Sequence, residues 1–382
     1  MTDRISRRSL LSAGAGTGLA ALAAACAPAA SDIPTPGGRA PAGAAWQNEW
    51  DDLVSAAKRE GSLVTISLTG VGYREAFEAF QEAFPGIHVE HQAFSSATTW
   101  VPKVQQERAA GVYTFDVGLI PTTSALVNIK PAGGFDPVRD VIFRPDVLED
   151  KAWKGGYEDG YVDFDRKWCY TFTLNANRSW AYDSNVVKDG EIKSIRDLLN
   201  PKFKGKMILA DVRMGHTYWP CTSIREQMGQ EVLKKLLVDQ EPAFTRDLRQ
   251  MAESVIRGRY VISLGANNNQ YREFWDKGIG QHVKLTELEG ASYASGSPVF
   301  LFNKAPHPNA AKLFINWLLS REGQDTYTGA LQNNSRRADV EPHDLDTLPE
   351  PGRKYFRTDT EEVIPKIEET QALIKGLVGI KD

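Results

Sequence analysis

The chain has 382 residues, of which 42% are hydrophobic, with nine tryptophans and a formal net charge of −4. That length and apolar content suffice for two ordinary cores and exclude a disordered or fibrous chain. A mildly acidic balance argues against a general nucleic-acid binder, which needs a basic face. At the start, Arg4, Arg7 and Arg8 stand against Asp3 and precede an Ala- and Gly-rich apolar run over 10–25. This is the layout of an export signal over 1–25: charged start, apolar middle, small residues before cleavage. No later run is long and apolar enough to span a bilayer. Residues 26–45, rich in Ala, Pro and Gly with little to bury, read as a flexible tether.

In the body of the chain, Trp46, Trp50, Leu53, Val54 and Ala57 share one helical face, and Gly61 ends the helix. A strand over 63–68, a helix over 73–84 stopped by Pro85 and Gly86, a strand over 87–94, a helix over 98–110 and a strand over 113–120 follow. Strands alternating with helices predict βαβ units and a mostly parallel sheet. The pattern weakens over 129–165, which reads as short helices and long loops. Aromatic and β-branched residues predict a strand over 168–174. Further strands are predicted over 207–210, 260–264 and 283–288, and helices over 231–237 and 245–257. Val299 to Phe302 is a four-residue apolar run, short enough for one buried strand. Pro308 then fits the first turn of a helix, and Ala310, Leu313, Phe314, Trp317 and Leu318 recur on one face of it. A charged closing helix is expected over 360–377, started or interrupted by Pro365.

In open α/β sheets ligands lie beyond the carboxyl ends of the strands. Those ends carry Thr69 and Gly70, Ser95 and Ser96, and Thr122 and Thr123. Their hydroxyls and N–H groups either meet a small polar or anionic solute or cap the helices that follow. After the 207–210 strand, Gly215, His216 and Thr217 offer further N–H groups to an anion. Arg213 offers a cationic donor fork, unless it pairs with Asp211. His216 fits hydrogen bonding or capping better than metal ligation. The amides of Asn267 and Asn268 suit an organic solute, or else a turn or helix cap, and Tyr293 is an aromatic placed to face a ligand. His88 and Glu90 share a strand face that His91 does not, so they make no metal site. The chain lacks G-x-S-x-G, H-E-x-x-H, C-x-x-C and G-x-x-x-x-G-K-[ST], so no catalytic residue, metal or cofactor is assigned. Cys169 and Cys221 either form a disulfide or stay as two buried thiols.

Several motifs resemble known ones. Ser6-Arg7-Arg8-Ser9-Leu10-Leu11 resembles a twin-arginine signal, and Leu22-Ala23-Ala24-Ala25-Cys26 resembles a bacterial lipobox, which implies a lipid on Cys26. The run N-K-A-P-H-P over 303–308, followed by A-A-K-L-F-I-N-W-L-L-S-R-E-G-Q over 310–324, resembles the late segment of extracellular solute-binding proteins of ABC importers. F-x-x-A-F-P-G-I-x-V over 80–89 and D-L-L-x-P-x-x-K-G-K over 197–206 are similar to signatures of the same family. The resemblance implies a two-lobed α/β periplasmic-binding-protein fold of type 2, each lobe a mixed, mostly parallel sheet flanked by helices, with two hinge crossings. Lobe one would span 46–174 and 291–382, and lobe two 175–290. By position, Asn175, Asn177 and Trp180 would lie near the cleft, although Trp180 could equally be core.

The implied function is capture of a small polar or anionic organic solute, of phosphorylated, carboxylated or polyol type, and its delivery to ABC permease transmembrane subunits. The implied protein is a monomer held at the outer face of the cytoplasmic membrane, or in the periplasm, by lipidated Cys26, with no nucleic-acid partner. Ferric-iron binding is the alternative, because the ferric branch is the most similar. Its members carry adjacent tyrosines where this chain has Asn268-Asn269-Gln270-Tyr271, and amides are poor replacements for phenolates on a hard cation. An exported lipoprotein enzyme or a sensor on the same scaffold is the remaining alternative.

Overall fold

The computed structural model describes residues 42–380. The export signal, Cys26 and most of the tether therefore lie outside the described residues. Helix α1 (Ala42–Glu60) begins four residues before the helix predicted from Trp46. Strands β1 (Ser62–Leu68), β2 (His88–Phe94) and β3 (Val117–Leu119) then alternate with helices α2 (Val71–Ala83) and α3 (Ala97–Ala109). Helix α4 (Thr122–Asn128), strand β4 (Phe135–Asp136), the single turn α5 (Pro145–Leu148) and strand β5 (Cys169–Thr171) complete this part.

The chain next runs through β6 (Asn175–Ala176) into a second sheet. That sheet comprises β7 (Trp180–Asp183), β8 (Met207–Ala210), β9 (Ala243–Thr245), β10 (Ile262–Leu264) and β11 (Val283–Thr286). Its helices are α6 (Gly215–Met228), α7 (Gln230–Lys234), α8 (Leu248–Ile256) and α9 (Asn268–Trp275). Strand β12 (Tyr293–Ser295) leads back to β13 (Pro298–Phe302), α10 (Pro308–Leu318) and α11 (Arg321–Leu331), and the chain closes with β14 (Phe356–Arg357) and α12 (Val363–Leu377).

The first sheet has the order β2-β1-β3-β13-β4, with β5 also on β13; the second has the order β11-β7-β10-β8-β9. Strands joined through helices pair in parallel, as β1 does with β2 and β3, and as β8 does with β9 and β10. Strands that arrive by a crossing run antiparallel: β13 against β3, β4 and β5, and β7 against β10 and β11. The sheets are thus more evenly mixed than a pure βαβ reading predicts, because the crossings enter each sheet against its direction.

Both faces of the sheets are buried, and strict alternation sends neighbours to opposite cores. In β13, Val299 and Leu301 face the core shared with α1, α2 and α10, whereas Phe300 and Phe302 face that of α3 and α4. In the second sheet, Met207 and Leu209 join one core and Ile208 and Ala210 the other. On α10, Leu313, Phe314, Trp317 and Leu318 are all buried, each stabilising by roughly 1.5–3 kcal/mol if fully removed from water. Cys169 and Cys221 are unpaired thiols in separate cores.

Two expectations need correction. The segment from Thr245 starts as strand β9, and the helix begins only at Leu248, where the Asp247 side chain accepts the Gln250 N–H. The closing helix α12, expected with lobe one, packs on lobe two: Ile374 is buried in that core beside Leu373 and Leu377, and Arg225 of α6 donates to Thr370 at 3.1 Å. The first turn of α12 still touches lobe one, where Ile364 packs against the core of α3 and α4.

Between the lobes sits a third, small sheet of order β14-β12-β6. Ala294 and Ser295 of the returning crossing pair antiparallel with Ala176 and Asn175 of the outgoing one.

Candidate functional site

The two main sheets and the small hinge sheet enclose a cavity of about 460 Å³, within the range of small-molecule sites. Lobe one contributes Tyr73 on the first turn of α2, and Pro121, Thr122 and Thr123 where β3 runs into α4. Lobe two contributes Gly215, His216 and Trp219 from the start of α6. The hinge strands supply the floor through Asn177, Tyr293, Ser295, Gly296 and Ser297, and the segment after β14 adds Thr358 and Asp359.

Local sequence explains each placement. The glycine at 265, with φ +126°, ends β10 in a conformation other residues avoid. A Cβ there would press on the Cβ of Ala210 at 2.7 Å, and it would lie 3.5 Å from that of His216; glycine lets α6 begin flush with the sheet. Helix α6 has no side-chain cap at Met214, so the first-turn N–H groups of Gly215 and His216 are of the kind a helix start leaves without intrahelical partners. Thr217 turns inward instead, donating its hydroxyl to the Ala210 carbonyl at 2.6 Å.

Two residues that line this space each carry a buried polar atom with no hydrogen-bond partner. Thr122 is 4% exposed and its Oγ1 has no hydrogen bond, and the buried amide oxygen of Asn177 has none either. Unsatisfied buried groups cost roughly 1–3 kcal/mol each, and here one lies on the lobe-one wall and one on the hinge floor. Burial pulls the His216 imidazole below its ordinary range, and burial pushes the phenols of Tyr73 and Tyr293 up.

Of the residues singled out from sequence, Thr122, Thr123, Asn177, Gly215, His216 and Tyr293 come together here. Thr69, Gly70, Ser95 and Ser96 sit at the same sheet edge but do not line the cavity. The Thr69 N–H donates to the Phe94 carbonyl at 2.9 Å, and the Ser96 hydroxyl pairs with that of Thr98 at 2.7 Å. Asn175 is turned to the return segment, where its Oδ1 accepts from the Asn334 N–H at 2.9 Å. Arg213 is turned onto Asp211, with Nε 2.7 Å from Oδ1. Its guanidinium holds the Asp211 carboxyl well below the ordinary carboxylate range, with further support from Arg246. Trp180 is core.

Asn267 and Asn268 line a second, larger hollow of about 550 Å³ with Arg178, Arg272, Asp344 and Asp346. Most of its polar side chains are paired, although Asn177, with its unpartnered amide oxygen, lines it as well. Asn267 caps α9 in a capping box with Gln270, Asn268 bonds Asp346, and Arg178 Nε lies 2.8 Å from Glu287 Oε1.

Sequence reasoning missed Tyr73, Trp219, Ser295, Ser297 and Asp359. Tyr73 lies in the first turn of α2 and Trp219 one turn into α6, on the two helices that start at the cavity. Asp359 lies in a segment with no periodicity, so no pattern could have placed it.

Solved structures with this fold cover nearly all of their own length. Iron-bound HitA from Pseudomonas aeruginosa matches at 18% identity with a TM-score of 0.56, over 83% of this chain and 99% of HitA. Trichodesmium IdiA, solved with iron and citrate, matches at 18% with a TM-score of 0.63, over 84% and 100%. A Clostridium perfringens ABC transporter structure matches at 15% with a TM-score of 0.65, over 83% and 99%. An uncharacterized Haemophilus influenzae protein is 28% identical over 138 residues; the match spans 35% of this chain and 39% of that protein's length. The family model for bacterial extracellular solute-binding proteins matches residues 75–345, well over half the chain. The two-lobed fold, the shared cavity and this match agree: the chain is a binding protein, not an enzyme, and belongs to the bacterial extracellular solute-binding protein family.

Proposed function

We propose that the protein captures a small polar organic solute between its lobes and hands it to the transmembrane subunits of an ABC permease, acting as a monomer tethered outside the cytoplasm through a lipid on Cys26. The observation that carries the solute reading is a cavity walled by both lobes and floored by the hinge, whose lining residues Thr122 and Asn177 each hold a buried polar atom with no partner. Groups from both lobes would be satisfied together only in a closed, loaded form, and such differential contact is what shifts an open–closed equilibrium. The closed form is then the one a permease reads.

Iron is the second reading, motivated by the likeness to HitA and IdiA. Against it, the chain has Asn268-Asn269-Gln270-Tyr271 where the resemblance to the ferric branch implies a tyrosine pair, and Tyr271 is buried with its hydroxyl 2.8 Å from that of Ser263. The cavity phenols are pushed up, away from the phenolate a ferric ion prefers. Among the described residues, no group of three or more His, Cys, Asp or Glu is arranged for a metal.

The test is a thermal-unfolding screen with ferric citrate, phosphonates, sugar phosphates, polyols, polyamines and dicarboxylates. A solute at a hundred times its Kd raises stability by about 2.7 kcal/mol. A rise with one organic class supports the reading; a rise with ferric citrate alone transfers it to iron; no rise with any refutes it. Labelling with palmitate in cells, lost in Cys26→Ala, tests the tether.

A further inference from the structure

Among the described residues that line the cavity, Asp359 is the one with a formally charged side chain, and none is Lys or Arg. Asp359 is 4% exposed. Arg357 grips both its oxygens, Nε to Oδ1 and Nη2 to Oδ2, each at 2.8 Å. The Gly296 N–H donates to Oδ2 at 3.1 Å. Behind it the row continues inward: Arg357 Nη1 lies 3.4 Å from Asp159 Oδ2, and the same oxygen lies 3.0 Å from Nη2 of Arg336, whose side chain is fully buried. The row alternates in sign, two cations against two anions, and ends with its carboxylate at the cavity. Three of roughly four acceptor positions on that carboxylate are filled, which leaves about one for a solute.

The opposite wall brings no compensating cation. His216 is held below its usual range by burial, so its ring is neutral at pH 7, and Arg213 is on Asp211 outside the cavity. An anionic solute would surrender its hydration to a wall with one carboxylate and no cationic side chain, leaving only the N–H groups that open α6 to replace it. A solute with no charge and several hydroxyls meets no such cost. Its O–H groups match the spare acceptor position on Asp359, the Thr122 hydroxyl and the buried Asn177 amide, and its oxygens match the N–H groups that open α6. Its C–H faces fit the rings of Tyr73, Trp219 and Tyr293.

We propose that the solute is an uncharged, hydroxyl-rich organic molecule of polyol or monosaccharide type, and that Asp359 is the residue that reads its donor groups. This rests on the solute-capture reading above and narrows it, away from phosphorylated and carboxylated metabolites.

The experiment titrates the full chain calorimetrically, with thermal midpoints alongside, against matched pairs: glucose and glucose 6-phosphate, sorbitol and sorbitol 6-phosphate, myo-inositol and inositol 1-phosphate. Citrate and inorganic phosphate complete the set. The expected result is binding of at least one uncharged member, with its phosphorylated partner weaker by about tenfold or more. Tighter binding of a phosphorylated partner, or binding of citrate or phosphate alone, overturns the class while leaving solute capture standing. Silence from every uncharged probe also overturns the class; solute capture is then decided separately by the broader screen. Asp359→Asn is expected to weaken the responding polyol or sugar by about tenfold. Thr122→Val is the companion variant, because the Thr122 hydroxyl bonds nothing in the fold; a loss of about fivefold is expected. Unchanged affinity in Thr122→Val or in a folded Asp359→Asn overturns the assignment.

Discussion

The H-P motif that carries the family resemblance does its work far from the solute, and Asp116 shows how much that work is worth. Asp116 is fully buried one residue before β3. Its Oδ2 accepts the Val64 N–H of β1 at 2.7 Å, its Oδ1 accepts the His307 N–H at 2.7 Å, and His307 Nδ1 lies 2.8 Å from Oδ2. One carboxylate therefore ties β1, β3 and the entry to α10 together. In Asp116→Ala two main-chain N–H groups lose their acceptor in a dry site, at about 1–3 kcal/mol each. The His307 ring is partly exposed and recovers its bond from water. The expected loss is about 2–6 kcal/mol, and at a urea slope of about 3 kcal/mol per molar the midpoint falls by about 0.7–2 M. Tryptophan fluorescence in urea reads it. Because Asp116 sits at the end of β3 opposite Thr122, the solute-induced rise in midpoint should survive in the variant. A loss under about 1 kcal/mol would refute the tie, and a vanished solute response would refute its separation from the site.

Three further outcomes follow from other parts of the molecule. Arg213→Ala should leave solute affinity within about twofold, because the guanidinium is committed to Asp211; calorimetric titration showing a loss of ten times or more would return Arg213 to the site. Stability should fall as pH drops below about 4, because the Asp211 carboxyl is held down by Arg213: that contribution is complete above the unfolded carboxylate pKa and is lost as pH falls through the folded one. Asp211→Asn should flatten this part of an acid-unfolding curve, and an unchanged curve would remove Asp211 as its source. The thiols of Cys169 and Cys221 are buried, and burial pushes that of Cys221 up to about 12. A thiol reagent should leave both unmodified in the native protein and reach both in denaturant, whereas resistance in denaturant would mean that they are bonded.

The elements were legible wherever one periodicity held for long enough. β13 and α10 could be read residue by residue, because alternation and the helical stripe both match buried faces seen in the structure. The small sheet was not legible as a sheet, because β6 and β14 are two residues each and leave no period to find. The site was legible only where its residues sit at strand ends, as with Thr122 and His216. Arg213 had the right chemistry at the right place, but Asp211 two residues earlier is a nearer partner than any solute. Asn175 and Asn177 show the limit most plainly. They stand two apart in an extended stretch, yet one turns to Asn334 and the other to the cavity, a choice made by a segment more than 150 residues away.

That choice also couples the site to the hinge. Each strand of the small sheet runs directly into a cavity residue: β6 into Asn177, β12 through Ser295 into Gly296, and β14 into Thr358 and Asp359. The Thr358 N–H donates back to the Ala294 carbonyl at 3.0 Å, and the Asn177 N–H to that of Tyr293 at 2.9 Å, so the three segments move together or not at all. Gly296 is packed so closely that a Cβ there would overlap the Thr173 carbonyl and the Thr171 methyl. A solute held by Asn177 and Asp359 is thus held by the backbone that sets the angle between the lobes, and no longer path is needed to carry binding to closure. Contacts made only at one lobe angle stabilise that angle by their own free energy, so residues on the floor should govern closure, and residues on the lobe walls should govern affinity within each state.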